Sequence, residues 1–146
     1  MTEAPEQNIQ LTIDGPVARV TLNRPDRHNA FDDIVIAALA ECFDRLSTDD
    51  TVRVVVLAAT GKSFSAGADL GWMKRSAGYS NAENEADARM LAEMLAKLNR
   101  LPRPTIALVQ GGAGDVHATA AAFTSVEQLR RLSAIVDEGN ALFHGV

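Results

Sequence analysis

The feature that most constrains this chain is the run Val52, Val54, Val55, Val56 and Leu57, which opens into Thr60-Gly61-Lys62-Ser63-Phe64-Ser65-Ala66-Gly67-Ala68-Asp69-Leu70. A short, β-branched, almost continuously apolar run is the pattern of a strand buried on both faces. The small residues after it let backbone approach a ligand closely. Such a central strand needs neighbours, and the flanking sequence supplies them. Ile9, Leu11 and Ile13 alternate, Ala18, Val20 and Leu22 alternate again, and Asp14-Gly15 between them has hairpin turn chemistry. The polar, proline-containing stretch 23–31 reads as a loop.

From Asp32 or Asp33, either suited to the N-cap, Ile34, Leu39, Cys42, Phe43 and Leu46 recur at helical spacing to about Ser47. Ser80-Asn81-Ala82-Glu83 fits a capping box ahead of Ala86, Met90, Leu91, Met94, Leu95 and Leu98. Pro102 and Pro104 end that helix, and residues 105–109 read as a second buried strand running into Gln110-Gly111-Gly112-Ala113-Gly114. The order is β, β, α, β, α, β, an α/β chain. Beyond Gly114 the texture changes to an alanine-rich stretch and then Ser125-Val126-Glu127-Gln128, which can cap a helix carrying Leu129, Leu132, Ile135 and Val136. This divides the chain into a core, residues 1–113, and a divergent helical tail, residues 114–146.

At 146 residues there is room for one domain and one active site. Fourteen basic against nineteen acidic residues give a net charge of −5, with no Lys/Arg run dense enough to track a phosphate backbone, so nucleic acid is excluded as a partner. Cys42 is the sole cysteine, and with three scattered histidines it makes no zinc spacing, which points to a metal-free, cytoplasmic protein. The first residues lack the basic and apolar regions of a secretory signal, and the apolar run 34–40 is far shorter than the ~20 residues a bilayer needs. The expectation is a soluble protein with no membrane association.

Three glycine-loop chemistries fail on spacing. Gly61-Lys62-Ser63 would be a phosphate loop only with glycine at position 56, which is valine. A dinucleotide fingerprint started at Gly111 meets Ala113 and Val116, and one started at Gly112 meets His117. The hydrolase elbow G-x-S-x-G lacks a glycine in both registers around Ser63 and Ser65.

The segments Val17-Ala18-Arg19-Val20-Thr21-Leu22-Asn23-Arg24-Pro25, Asn29-Ala30-Phe31, Arg53-Val54-Val55-Val56-Leu57, Ser63-Phe64-Ser65-Ala66-Gly67-Ala68-Asp69-Leu70 and Arg103-Pro104-Thr105-Ile106-Ala107, in this order and spacing, resemble the enoyl-CoA hydratase/isomerase (crotonase) family. Trp72-Met73 and Gly78-Tyr79-Ser80 are similar, more narrowly, to its methylglutaconyl-CoA hydratase-like members. The resemblance covers roughly residues 8 to 113, the N-terminal part of a family member about twice this length. It implies a shortened crotonase-like ββα spiral, an enzyme of fatty-acid metabolism acting on a 2-enoyl-CoA thioester, and assembly as a trimer or hexamer. No permanently bound cofactor is implied, coenzyme A being part of the substrate.

The family stabilises the enolate-like thioester oxygen with two backbone N–H donors, each able to contribute about 3–4 kcal/mol. The resemblance places the first donor at the Ala68 N–H, with Gly67 allowing the turn. Ser65, Ala66, Asp69 and Leu70 would flank the adenine and pantetheine path; Arg27, His28 and Ala30 would edge the coenzyme A pocket, Arg27 meeting a phosphate.

The second donor belongs to a loop of the form G-x-A-x-G-G-G, which Gly111 to Ala113 begin and Asp115-Val116-His117 break; Gly112 or Gly114 offers an alternative N–H. The family's catalytic glutamate segment is not recognisable, and none of Asp115, Glu127, Asp137 and Glu138 can be placed. Two other readings therefore stand beside the enzyme: a catalytically silent acyl-CoA-binding module and an oligomerising scaffold. Residue by residue, a structural alternative also stands. His28 reads equally as a solvated loop histidine, Trp72 and Met73 as core filler, Cys42 as a small core hydrophobe, and the Ala68 segment as a tight turn.

Overall fold

The computed structural model describes residues 8–111. A hairpin comes first, β1 (Ile9–Asp14) paired antiparallel with β2 (Val17–Leu22), Ile9 opposite Leu22 and Asp14 opposite Val17. The connecting pair is thus Gly15-Pro16, one residue later than the turn read from sequence, and Gly15 takes the positive φ of +53° that glycine tolerates. A 3-10 turn at Pro25–Arg27 interrupts the expected loop, and α1 (Asp33–Thr48) follows, with the Asp32 side chain accepting from the Val35 N–H at 2.9 Å. Next come β3 (Val54–Ala59), the short α2 (Leu70–Ser76), α3 (Asn81–Asn99) and β4 (Thr105–Ala107). The strands lie in the order β1-β2-β3-β4, with β3 parallel to both neighbours, as crossovers through helices require.

One face of this sheet carries the core. Ala18, Val20 and Leu22 alternate inward along β2, Val55 and Leu57 do so along β3, and Val35, Ile36, Leu39, Phe43 and Leu46 of α1 close over them with Met94 and Leu98 of α3. The capping box holds α3 as expected: Ser80 Oγ accepts from the Glu83 N–H at 3.2 Å, and Glu83 Oε2 accepts from the Ser80 N–H at 2.8 Å.

Several sequence expectations need correction. Val54 and Val56 point to the other face of β3 and are only half-buried, leaving Ala58 the one buried residue on that face, so within the described residues this strand is not buried on both sides. Ile34 is 62% exposed, because the inward stripe of α1 begins at Val35 and Ile36 instead. Met90 and Ala86 lie in the solvent-facing first half of α3, and only Met94 and Leu98 of its six periodic positions are fully buried. Cys42 sits half-buried at the edge of the core, its thiol pKa pushed up by that burial. The last strand is shorter and less buried than its composition suggests, ending at Ala107 and leaving Leu108 and Val109 exposed. The boundary at residue 113 and the helical tail lie outside the described residues.

Candidate functional site

The loop after β2 and the small-residue segment after β3 are joined by one isolated parallel bridge, Phe31 to Ala68. The Phe31 N–H donates to the Gly67 carbonyl and the Asp69 N–H donates to the Phe31 carbonyl, each at 2.7 Å. Gly67, at φ +86°, turns the chain into this bridge, and its N–H donates to Ser65 Oγ at 3.1 Å. One residue earlier, the Ala66 N–H donates to the His28 carbonyl at 2.9 Å. Residues 65–69 are therefore held from both ends.

Ala68 sits at the middle of this bridge, where the alternation of extended backbone turns its own N–H and C=O away from Phe31. Among the described residues its N–H donates to nothing, and the residue is exposed. An immobilised, unpaired backbone donor at the surface is available to a ligand oxygen.

Beneath the bridge is a charged cluster. The Arg24 side chain, 14% exposed, puts Nη1 2.9 Å from Asp32 Oδ2 and 3.1 Å from the Ala30 carbonyl, and Nη2 3.7 Å from Asp69 Oδ2. Asp69 also caps α2, its Oδ1 accepting from the Trp72 N–H at 3.0 Å. The Trp72 N–H, helped by the Gly71 N–H and by Arg24 and Arg27, lowers the Asp69 pKa against the opposing effect of burial. A carboxylate with a depressed folded-state pKa adds stability that is present above its unfolded pKa and is lost as pH falls through the folded value. The expected outcome is a denaturation midpoint that drops below about pH 4, with a shallower acid limb in Asp69→Asn. An unchanged limb would show that the cap and ion pairs do not discriminate the charged form.

Asn29 knots the two loops together. Its Oδ1 accepts from the Arg24 N–H at 2.7 Å, and its Nδ2 donates to the Thr60 and Ser63 carbonyls at 2.8 Å each. The chain leaving β4 adds a third lace: Gln110 Nε2 donates to the Ala59 carbonyl at 2.7 Å, and the Gln110 carbonyl accepts from the Phe64 N–H at 3.1 Å. Gly111, at φ +90°, lies so close that a Cβ there would stand 1.6 Å from the Lys62 carbonyl oxygen. Gly111→Ala should therefore push the 61–64 loop outward and cost about 1–3 kcal/mol, measured by urea denaturation. A wild-type midpoint would show that this approach is not part of the folded state.

The residues expected to bind ligand divide by depth. Arg27, His28, Ala66, Ala68 and Leu70 are exposed around the bridge, Gly67 is half-buried, and Ala30, Ser65 and Asp69 are buried beneath it. Arg27 lies 3.6 Å from Asp69, and His28 Nδ1 lies 3.4 Å from Ser63 Oγ. The Asp69 side chain faces inward, committed to capping and ion pairing instead of lining a ligand path. Trp72 is buried and its Nε1 donates to Asp87 Oδ2 at 3.0 Å, whereas Met73 is 54% exposed; with Ala77, Ala88 and Leu91 they line an open groove of about 430 Å³ between α2 and α3. Sequence reasoning passed over Arg24, Asn29 and Asp32 as site residues. The available signal was the adjacency of Asn29 to His28, since two residues suited to the left-handed region in a loop mark a forced backbone, and both adopt it at φ +53° and +50°.

Among the described residues no group of three or more His, Cys, Asp or Glu side chains is placed to hold a metal, and no helix is long and apolar enough to cross a membrane. The tail carboxylates Asp115, Glu127, Asp137 and Glu138, with Gly112 and Gly114, lie outside the described residues.

The family model for enoyl-CoA hydratase/isomerase matches residues 12–129, which runs past residue 113 into the tail. The chain is 36% identical over 110 residues to the 1,2-epoxyphenylacetyl-CoA isomerase of Escherichia coli, covering 75% of this chain and 42% of that protein. It is 31% identical over 143 residues to the trans-2-decenoyl-[acyl-carrier-protein] isomerase of Streptococcus mutans, covering 92% of this chain and 53% of that one. The crystal structure of an enoyl-CoA hydratase from Shewanella pealeana superposes with a TM-score of 0.71 at 39% identity, over 73% of this chain and 40% of that structure. The chain thus spans about half the length, or less, of the relatives it matches, and it shares their crotonase-like fold. With the family match extending over residues 12–129, this chain belongs to the enoyl-CoA hydratase/isomerase family.

Proposed function

We propose that the chain binds a 2-enoyl-CoA thioester with its carbonyl oxygen on the Ala68 N–H and acts as an acyl-CoA hydratase or isomerase. The observation that carries this is the Ala68 donor, unpaired among the described residues and held by hydrogen-bonded neighbours on either side. A donor preorganised in this way favours the state in which negative charge has moved onto the thioester oxygen, and it pays no reorganisation energy at that moment. The exposed Arg27 and His28 offer a cation and a ring nitrogen at the rim for the coenzyme A moiety, and the buried Ala30, Ser65 and Asp69 support the wall beneath it. Ala66, Gly67 and Leu70 border the path to the donor. The apolar groove beside Trp72 and Met73 suits an acyl chain.

In hydration, a carboxyl group takes a proton from water as oxygen bonds to Cβ, and the alkene electron pair moves toward the thioester oxygen. A proton then returns to Cα. The described residues supply the oxygen's donor, and the carboxyl is unassigned. The reading extends to a cytoplasmic homo-oligomer, trimeric or hexameric, inferred from the family and tested by sedimentation.

A second reading, a silent acyl-CoA-binding module, is favoured by Asp115-Val116-His117 standing where the family loop carries glycines. The test is the loss of conjugated enoyl absorbance when crotonyl-CoA or methylglutaconyl-CoA is added to the purified protein. Turnover supports the enzyme. Binding without turnover supports the silent module, and absence of binding to any coenzyme A compound overturns both in favour of a scaffold.

A further inference from the structure

We infer that Arg24 is a positioning residue for the Ala68 N–H, a role that rests on the proposed use of that donor. Its guanidinium contacts sequence neighbours of both partners of the Phe31–Ala68 bridge. On one side it reaches the Ala30 carbonyl and the Asp32 carboxylate, the two residues that flank Phe31; on the other it faces Asp69, the residue after Ala68. Asp32 and Asp69 are also the N-caps of α1 and α2, so each carboxylate is tied to a helix as well as to the arginine.

The same residue organises the loop that delivers Phe31. The Arg24 N–H donates to Asn29 Oδ1, and the Arg24 carbonyl accepts from the N–H groups of Arg27 and Asn29 at 3.0 and 2.9 Å. Backbone and side chain of one residue thus set the position of 27–32 relative to 67–69. Arg27 also approaches Asp69 but is 58% exposed, so it cannot hold the turn as the nearly buried Arg24 does.

The chemistry demands arginine. Five N–H donors in a rigid plane can serve two carboxylates and a carbonyl together, whereas a lysine ammonium is a compact point charge that satisfies one cluster member well at the expense of the others. A lysine at position 24 should keep charge balance and folding while letting residues 67–69 drift relative to Phe31. Drift of the donor weakens polarisation of the bound carbonyl more than it weakens binding, because most contacts of a long coenzyme A ligand lie elsewhere.

The experiment uses the full chain and a 4-dimethylaminocinnamoyl-CoA thioester, whose absorption band moves to the red when its carbonyl oxygen meets a hydrogen-bond donor. The wild type should bind the probe with a red shift. Arg24→Lys should keep the affinity within about threefold and lose about half of the shift, a split that a purely structural role would not give. Arg24→Met leaves two carboxylates facing each other and can fail to fold. Asp69→Asn, which retains a cap oxygen and removes the ionic partner, then serves as the second variant and should also lose shift ahead of affinity. A full wild-type shift in folded Arg24→Lys and Asp69→Asn, or a loss of affinity and shift in equal proportion, overturns the positioning role and leaves the binding proposal standing. Absence of probe binding to the wild type overturns the binding proposal and this role with it.

Discussion

Ala68→Pro should leave the protein folded and lower turnover of an enoyl-CoA substrate by about 10²- to 10³-fold, the effect expected when one oxyanion donor is removed. Proline deletes an N–H that the fold does not use, since among the described residues that N–H has no acceptor, although its ring also fixes φ at about −65° and restricts Gly67 before it. The bridge runs through Phe31 to the Gly67 carbonyl and the Asp69 N–H, both of which proline leaves in place. Nor is Ala68 one of the non-glycine residues at positive φ, so the ring meets no left-handed backbone there. Circular dichroism should show a folded protein and the urea midpoint should fall only by the backbone restriction at residues 67–68, while kcat falls far more, with KM moving less because the rest of the ligand is untouched. If the wild type binds acyl-CoA without turning it over, the readout becomes the red shift of the cinnamoyl probe, which Ala68→Pro should abolish. A folded Ala68→Pro variant with wild-type turnover or shift would remove the donor from the mechanism.

The contrast with the surrounding residues explains why this position stands apart. The Phe31, Ala66 and Asp69 N–H groups hold the two loops together, and the Gly67 N–H is taken up by Ser65 Oγ within its own segment. A tight structural turn would account for those bonds equally well; what sets Ala68 apart is a central, exposed donor with no acceptor among the described residues. Buried backbone groups are almost always paired, and an exposed one held this rigidly is already oriented for a ligand before the ligand arrives.

How much of this was legible beforehand follows from the range of the interactions. Local rules found most of the elements: alternation gave β1 and β2, the capping box gave the start of α3, and Asp32 was one of two named caps for α1, while they missed the short α2 and the 3-10 turn. Burial was harder, because period alone cannot say which stripe of a helix faces inward. Ile34 fits the helical spacing, yet the α1 stripe is centred on Val35, Ile36 and Leu39. The small-residue segment was recognisable by composition, and the family resemblance singled out Ala68 within it. What stayed invisible was the support. Arg24 and Asp69 are 45 residues apart in numbering, Asn29 meets carbonyls at positions 60 and 63, and Gln110 reaches back to Ala59. None of these pairs has a spacing that a local rule can read, since parallel crossovers bring them together only after the sheet has formed.

That support makes Asn29→Ala the substitution expected to cost the most stability. The side chain is 2% exposed and makes three hydrogen bonds, accepting from the Arg24 N–H and donating to the Thr60 and Ser63 carbonyls. Alanine strips all three at once, and a buried polar group left without its partner costs about 1–3 kcal/mol. Thr60 and Ser63 are half-buried, so water can recover part of the loss at their carbonyls. The backbone adds to the cost, because Asn29 sits at φ +53°, where asparagine is tolerated and alanine is strained by roughly 1–2 kcal/mol. Together these place Asn29→Ala at about 3–5 kcal/mol, a large share of the ~5–15 kcal/mol that holds an ordinary domain together. Asn29→Gly separates the two causes: it loses the same bonds but accepts the positive φ, so its urea midpoint should correspond to about 1 kcal/mol more stability than alanine's. Asn29→Asp keeps the acceptor for Arg24 but turns a charged oxygen toward two carbonyls, and it should be no better than alanine. A loss below about 1 kcal/mol in Asn29→Ala, the value of one ordinary hydrogen bond, would mean that the loops carrying Phe31 and Ala68 are held by the arginine cluster, the bridge and the Ala66–His28 bond without help from Asn29.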